Sequence, residues 1–366
     1  MKILITTTLF FIFIFTGCSQ KEPIKLESLP KISKAKLKKV DVKDIKGFYE
    51  DDLLLAFDVF KKDCKRSKRY DLFKNICEKA HTYTNASEFF STNFTAYELH
   101  NTNGTNNGLI TGYYEPLLKG SRTQSEKYKY PIYKVPNDMY TVDLSSLYPE
   151  LKKYRLRGKI KGNKIVPYDD REVINNRNDL EPICYVDDEI DLFFLQIQGS
   201  GKVTLDSGET INVGYANQNG HKYFAIGRAL LKEGVLKKTG ASLQGIKRYL
   251  RENPHRIKEI LNKNRSYIFF HESKKSATGA LGTQLVGNRN LAVDRRYIPL
   301  GMPVFINTKN SVTHEPINNL MVAADVGGAI KGEIRADFYF GNGEEAELYA
   351  GGMKAKGILT ILVPNE

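Results

Sequence analysis

Residues 323–341 read AADVGGAIKGEIRADFYFG and hold two aspartates twelve positions apart. Asp325 ends an apolar run, where a carboxylate is unexpected. Asp337 sits between Arg335 and the aromatic run Phe338-Tyr339-Phe340. An acid beside apolar rings keeps its proton to higher pH, as a general acid working near neutrality must. Gly327, Gly328 and Gly332 allow unusual backbone angles and the close approach of a bulky ligand. Asp294 has a similar context in LAVDRRYIPLG. The three acids could equally close turns and pair with Arg295, Arg296 and Arg335, and the residues alone leave both readings open.

Other signals for chemistry fail on inspection. GSGKV at 199–203 lacks the first glycine of a phosphate loop, because residue 196 is Gln. It also has Val203 where Ser or Thr should follow the lysine. His271-Glu272 has no second histidine at metalloprotease spacing, and the six histidines are scattered, so no metal is expected. There is no GxSxG elbow and no CxxC pair. No aromatic-basic nucleic-acid module is evident.

These acids must be positioned by a β-rich framework. Residues 49–63 have helical length, with acids first and lysines last, an order that suits the helix dipole. Residues 86–99 predict a second helix, with Phe89, Phe90, Phe94 and Tyr97 on one face. From Leu109 short β-rich runs follow, separated by Gly, Asn and Pro, and FFLQIQGSG reads as strand with Gln196 and Gln198 on a shared face. A helical interlude covers about 221–263, with Ser242 as a cap and Pro254 as a breaker. Strands return after Asn264, and their spacing suggests a small barrel.

The chain has 366 residues, 55 Lys+Arg, 42 Asp+Glu and a net charge of +13. That length suggests two domains, and 41% hydrophobic residues exclude wholesale disorder. The N-terminus, MKILITTTLFFIFIFTGC, carries an apolar run from Ile3 to Phe15. At about 1.5 Å per residue it spans roughly 20 Å, too short for a bilayer core. It fits a lipoprotein signal peptide over 1–17, with lipidation at Cys18. Nine lysines among residues 21–46 read as a solvated tether over 18–46. Export would favour a disulfide between Cys64 and Cys77, which flank a basic turn, leaving Cys184 in the core. A basic exported protein points to acidic wall or membrane partners rather than nucleic acid.

The three aspartates, Asp294, Asp325 and Asp337, resemble those of the 3D domain in the membrane-bound lytic murein transglycosylase A (MltA) family. TGYYEP at 111–116, FFLQIQGSG at 193–201, GYANQNGHKYFAIG at 214–227, SYIFFHE at 266–272 and AGGMKAKGILTILVP at 350–364 also resemble the family, in order, across about 109–364. The resemblance implies a mainly β protein with some α. Its double-psi β-barrel (47–125 and 265–366) would carry an inserted β-rich domain (126–264), with the substrate groove between them. It implies cleavage of the β-1,4 bond between N-acetylmuramic acid and N-acetylglucosamine without water, leaving 1,6-anhydromuramyl ends and needing no cofactor.

It also implies that Asp337 is the acid/base and Asp325 supports it, by binding sugar, holding the loop or raising the Asp337 pKa. Asp294, Arg296 and Arg335 would be structural. Thr111, Tyr113, Tyr114, Glu115, Gln196, Gln198, Gly199 and Ser200 would face glycan, although two adjacent strand tyrosines alternate in direction and the glutamines could form a buried network. His221 reads as structural. The expected partners are peptidoglycan strands, the membrane (through a lipid anchor, with the outer membrane as destination) and murein synthases or division and elongation machinery. An expansin-like wall-binding lipoprotein and a muramidase-type hydrolase are the competing readings.

Overall fold

The structure is a computed structural model and describes residues 36–237, 240 and 242–365. The expected signal peptide and Cys18 lie outside the described residues. The tether reading fails over 36–46. Lys36–Val40 is a strand paired antiparallel with Phe94–His100. Leu37 and Val40 pack on the core, and Val42 and Ile45 are buried in it. Two apolar side chains of the strand and two of the turn after it outweigh the solvating tendency of the lysines between them.

The first helix runs Leu53–Ser67, shifted from the expected span because Asp52 is its cap and accepts from Leu55 N at 3.0 Å. A Cys64–Cys77 disulfide ties it to the helix Asp71–Lys79. Cys184 is free and buried. The next helix, Ala86–Asn93, stops short of expectation, and Phe94–His100 is a strand. Its β-favouring Thr95 and Tyr97 lie in a ladder between Lys36–Val40 and Lys354–Pro364. Phe89, Phe90 and Phe94 still meet Phe57 and Phe60 in one aromatic cluster.

Eight strands form the main sheet. In spatial order they are Lys36–Val40, Phe94–His100, Lys354–Pro364, Pro303–Lys309, Pro316–Asp325, Asn290–Val293, Arg335–Asn342 and Gly108–Glu115. The last of these also pairs with Lys354–Gly357, so the hydrogen bonding returns to a strand it has already used. Inward-facing Ile110, Ala336, Phe338, Leu291 and Ala355 are buried.

A second sheet of six strands spans Leu117 to Ser273, and a small three-stranded sheet lies between Tyr140 and Pro167. The division therefore falls at Pro116, not near 125, because proline supplies no amide to the ladder. Ile268–Ser273 likewise pairs with Thr210–Gln218 in the second sheet rather than with the first.

Glu189–Gln198 is a helix, not the expected strand. Asp188 caps it by accepting from Ile190 N (2.7 Å) and Asp191 N (3.0 Å), and Gly199 ends it at φ +83°. The interlude resolves into helices Ile226–Lys232, Leu243–Glu252 and Ile257–Asn262. Ser242 caps the second, and Pro254 starts a short 3-10 turn after it.

Candidate active site

One row across the main sheet gathers the residues of interest. Lys354 is registered with Thr111, Thr111 with Asp337, Asp337 with Ala292, and Ala292 with Asp325. Side chains in one such row share a face. Asp325 and Asp337 are two strands apart, so their Cα atoms are separated by about 10 Å. The residue between them, Ala292, is buried and contributes only a methyl. Both aspartates are half-buried on the outward face, while their strand neighbours Ala324, Ala336 and Phe338 are buried.

Thr111 Oγ1 donates a short hydrogen bond to Asp337 Oδ1 and accepts one from Arg335 Nη2 at 2.8 Å. Arg335 Nη1 is anchored on the carbonyls of Leu109 (3.2 Å) and Ala336 (2.5 Å). Burial raises the pKa of Asp337, while the Thr111 hydroxyl and the Arg335 charge pull it back down. Asp325 accepts from Ala280 N at 2.9 Å. Burial pushes its pKa up to about 6 against that amide and the amide of Val326, and the nearby Asp337 adds a little. Burial is the main cause of the raised pKa at both aspartates.

Asp294 is buried. Its Oδ2 accepts from Gly332 N at 3.0 Å, and Arg296 grips both carboxylate oxygens. Burial tends to raise its pKa, but these partners hold it below the ordinary carboxylate range. It thereby pins the loop joining Asp325 to Asp337, where Gly332 adopts φ +125°.

The expected glycan contacts divide. Thr111 is at the site. Tyr113 and Tyr114 are 9% and 2% exposed, so neither offers a ring face for sugar stacking. The Tyr113 ring packs 5.0 Å from Tyr339, and its phenol is pushed up by burial and by Asp325 and Asp337. Tyr114 is covered by Ala346 and Ala350.

Glu115 is buried and accepts from Ser276 Oγ (2.7 Å) and Ala277 N (2.8 Å), so it holds a loop rather than a hydroxyl of sugar. Gln196 and Gln198 do not share a face, because they sit on a helix. Gln196 is buried and accepts from Arg171 Nη1 at 2.5 Å, while Arg171 also donates to the carbonyls of Asn264 and Ser266. Gln198 accepts from Tyr114 N at 3.3 Å, a link between the two sheets. Gly199 is the helix cap, and Ser200 opens the strand Ser200–Leu205, registered with Gly214. His221 Nε2 bonds the Tyr168 carbonyl at 2.8 Å, away from the acids.

Sequence reading missed the loop 276–285. Ser276 and Ala277 are held by Glu115, Ala280 N reaches Asp325, and Leu281 N donates to Ala324 O at 2.9 Å. The run SATGALGTQLV holds two glycines between two strands, a signal for a loop but not for its destination.

Two family models match: the MltA-specific insert domain over residues 109–271 and the 3D domain over 289–363. The membrane-bound lytic murein transglycosylase A homolog of Buchnera aphidicola is 33% identical over 264 residues, 70% of this chain and 66% of that protein. Membrane-bound lytic murein transglycosylase A of Escherichia coli is 30% identical over 275 residues, 73% of this chain and 68% of that protein. The chain thus spans about two thirds of the length of these curated relatives. The crystal structure of MltA from Neisseria gonorrhoeae superposes with a TM-score of 0.81 at 35% identity, covering 90% of this chain and 93% of that one. A membrane-bound lytic murein transglycosylase from Agrobacterium tumefaciens gives 0.81 at 29% identity, covering 90% and 97%. With both domain models matched in order and these relatives covered to about two thirds, this protein belongs to the MltA family.

Proposed function

We propose that this protein is a peptidoglycan lytic transglycosylase and that Asp337 is its acid and base in turn. The observation that carries this reading is the Thr111–Asp337–Arg335 constellation on the outward face of the sheet. Burial favours the protonated form of Asp337, whose proton can be given to the glycosidic oxygen as the bond to C1 breaks. The Thr111 hydroxyl and Arg335 stop the pKa from rising so far that the resulting carboxylate would be too rarely ionised to accept the proton of the C6 hydroxyl. Attack by C6-OH on C1 is intramolecular, needs no positioned water and closes the 1,6-anhydro ring. Asp325, in its carboxylate form, would offset the positive charge developing at C1.

The circuit of strands that returns to Lys354–Pro364 supports reading the main sheet as the double-psi barrel, with Leu117–Ser273 as the insert and the substrate between them. The relatives are named membrane-bound, and among the described residues no helix is long and apolar enough to cross a membrane. We take Cys18 as the lipid attachment point and the outer membrane as the destination. Murein synthases are candidate partners on family grounds alone.

A second reading is favoured by one observation. Asp325 supplies a second carboxylate in the same row as Asp337, across Ala292, and a two-carboxylate hydrolase needs such a pair. Mass spectrometry of muropeptides released from purified sacculi decides between them. Products one water lighter than reducing muropeptides, lost in Asp337→Asn, support the lyase. Fully hydrated products would establish the hydrolase, and wall binding without release would overturn both.

A further inference from the structure

A groove of about 1120 Å³ runs along the outer face of the main sheet beside the aspartate row. Its floor includes Lys354, Lys356 and Ile358, which alternate outward along their strand, with Asn307 and Lys309 on the next. Its wall is the segment 38–46, tied down where Asn307 Nδ2 donates to Lys46 O at 2.8 Å. Six exposed lysines line it: Lys38, Lys39, Lys46, Lys309, Lys354 and Lys356. Three acids also line it: Asp41 is paired with Lys43, and Glu98 is hydrogen-bonded to His100 and Asn106. Among the described residues none of the six lysines has a carboxylate partner within 4.0 Å; the described ion pairs involve other cations.

One residue of this groove, Lys354, lies in register with the catalytic row. Lys354 is registered with Thr111, itself registered with Asp337, so the groove begins two strands, about 10 Å, from the acid. We propose that the groove binds the carboxylates of the peptide stems borne by the glycan strand in the active site. This rests on the reading of peptidoglycan as substrate. The stem hangs from the muramic acid whose C1 reacts at Asp337. A stem of four residues extends up to about 14 Å, enough to carry its carboxylates from the cleavage point into the groove. Six lysines against three acids, one of them paired with Lys43, complement such a stem, whereas an uncharged glycan gains nothing from them.

The test compares full-length wild-type protein with the triple variant Lys38→Gln, Lys309→Gln, Lys356→Gln, on stem-bearing murein and on strands stripped of their stems by an amidase. None of the three residues contacts the aspartates. The expected result is a KM raised about tenfold on stem-bearing murein, with kcat/KM on stripped strands unchanged. In the wild type, salt should weaken turnover of the stem-bearing substrate only.

Binding of a free stem tetrapeptide, followed by NMR of the lysine side chains, gives a readout independent of turnover. Saturable perturbation of Lys354 and Lys356 supports the proposal even if the released products prove hydrolytic. Equal losses on both substrates, or no loss on either, would overturn it. So would loss of binding to vesicles containing phosphatidylglycerol with murein turnover intact, which would make the groove a lipid contact.

Discussion

Replacing Thr111 by valine keeps its shape and removes the one side-chain hydrogen bond to Asp337 among the described residues. A hydrogen bond to a charged group contributes about 1.5–3 kcal/mol, and one pKa unit corresponds to about 1.36 kcal/mol, so its loss amounts to about one to two units. Asp337 keeps some contact with solvent, which favours the lower end of that range. The sign follows from which form the bond favours: Thr111 donates to the carboxylate, so its removal raises the pKa of Asp337 further above the ordinary value. The protonated form is the one that starts the reaction. The high-pH limb of kcat/KM should therefore move up by about one unit in Thr111→Val and stay in place in Thr111→Ser. Arg335 remains anchored on two carbonyls through Nη1, which limits its drift toward the vacated site. The assay is the rate of muropeptide release from sacculi between pH 4 and 9. A limb that stays fixed or moves down in the valine variant would refute the assignment of Asp337 as the titrating acid held by Thr111.

Asp325→Asn should flatten the dependence of stability on pH. The folded-state pKa is raised to about 6 from 3.8, so the wild type loses stability as pH rises through that window. The upper bound is about 3 kcal/mol, reduced to about 1–2 by partial solvent contact. Asparagine can still accept from Ala280 N, and parallel Tm curves for the two proteins between pH 4 and 7 would contradict the assignment. Mutating Cys64 and Cys77 to alanine should destabilise the chain by about 3 kcal/mol or less, read from denaturant midpoints, because the bridge closes a short loop. Gly279→Ala places a Cβ 2.4 Å from the Ala324 carbonyl. It should lower Tm and slow turnover together, by displacing the loop whose Ala280 amide holds Asp325; unchanged activity would separate that loop from the site.

What was legible in the sequence had a local cause. Asp325 and Asp337 stood out because each is an acid in an apolar or glycine-rich setting, and Asp294 because arginines follow it. The Cys64–Cys77 pairing and the Ser242 cap were readable for the same reason. The segment from Glu189 to Gln198 misled because LFFLQIQ satisfies strand alternation as well as a buried helix. The deciding signals, Asp188 before it and Gly199 after it, are single residues at its ends. Tyr113 and Tyr114 point to opposite faces as alternation requires, but both faces of their strand are covered, which depends on Tyr339 and on Ala346 and Ala350 far along the chain. The role of Glu115 depends on Ala277, 162 residues away, and no local pattern encodes that.

The dependence on register goes deepest at Asp325. Leu291 is registered with Ala323, but the next pair is Ala292 with Asp325, so Ala324 is an extra residue on its strand. Such a bulge reverses the alternation beyond it. Without it Ala292 would face Ala324, and the Asp325 side chain would fall on the buried face, away from Asp337. The bulge also removes the Ala324 carbonyl from the ladder, and Leu281 N takes it up at 2.9 Å. One residue later on the strand, and one residue earlier on the loop, Asp325 accepts from Ala280 N. The loop that sequence reading passed over is therefore bound to the irregularity that brings the second carboxylate into the row. The site is assembled by a defect in the sheet and the segment that satisfies it, and the approach of Gly279 to Ala324 lets the two come together without a clash.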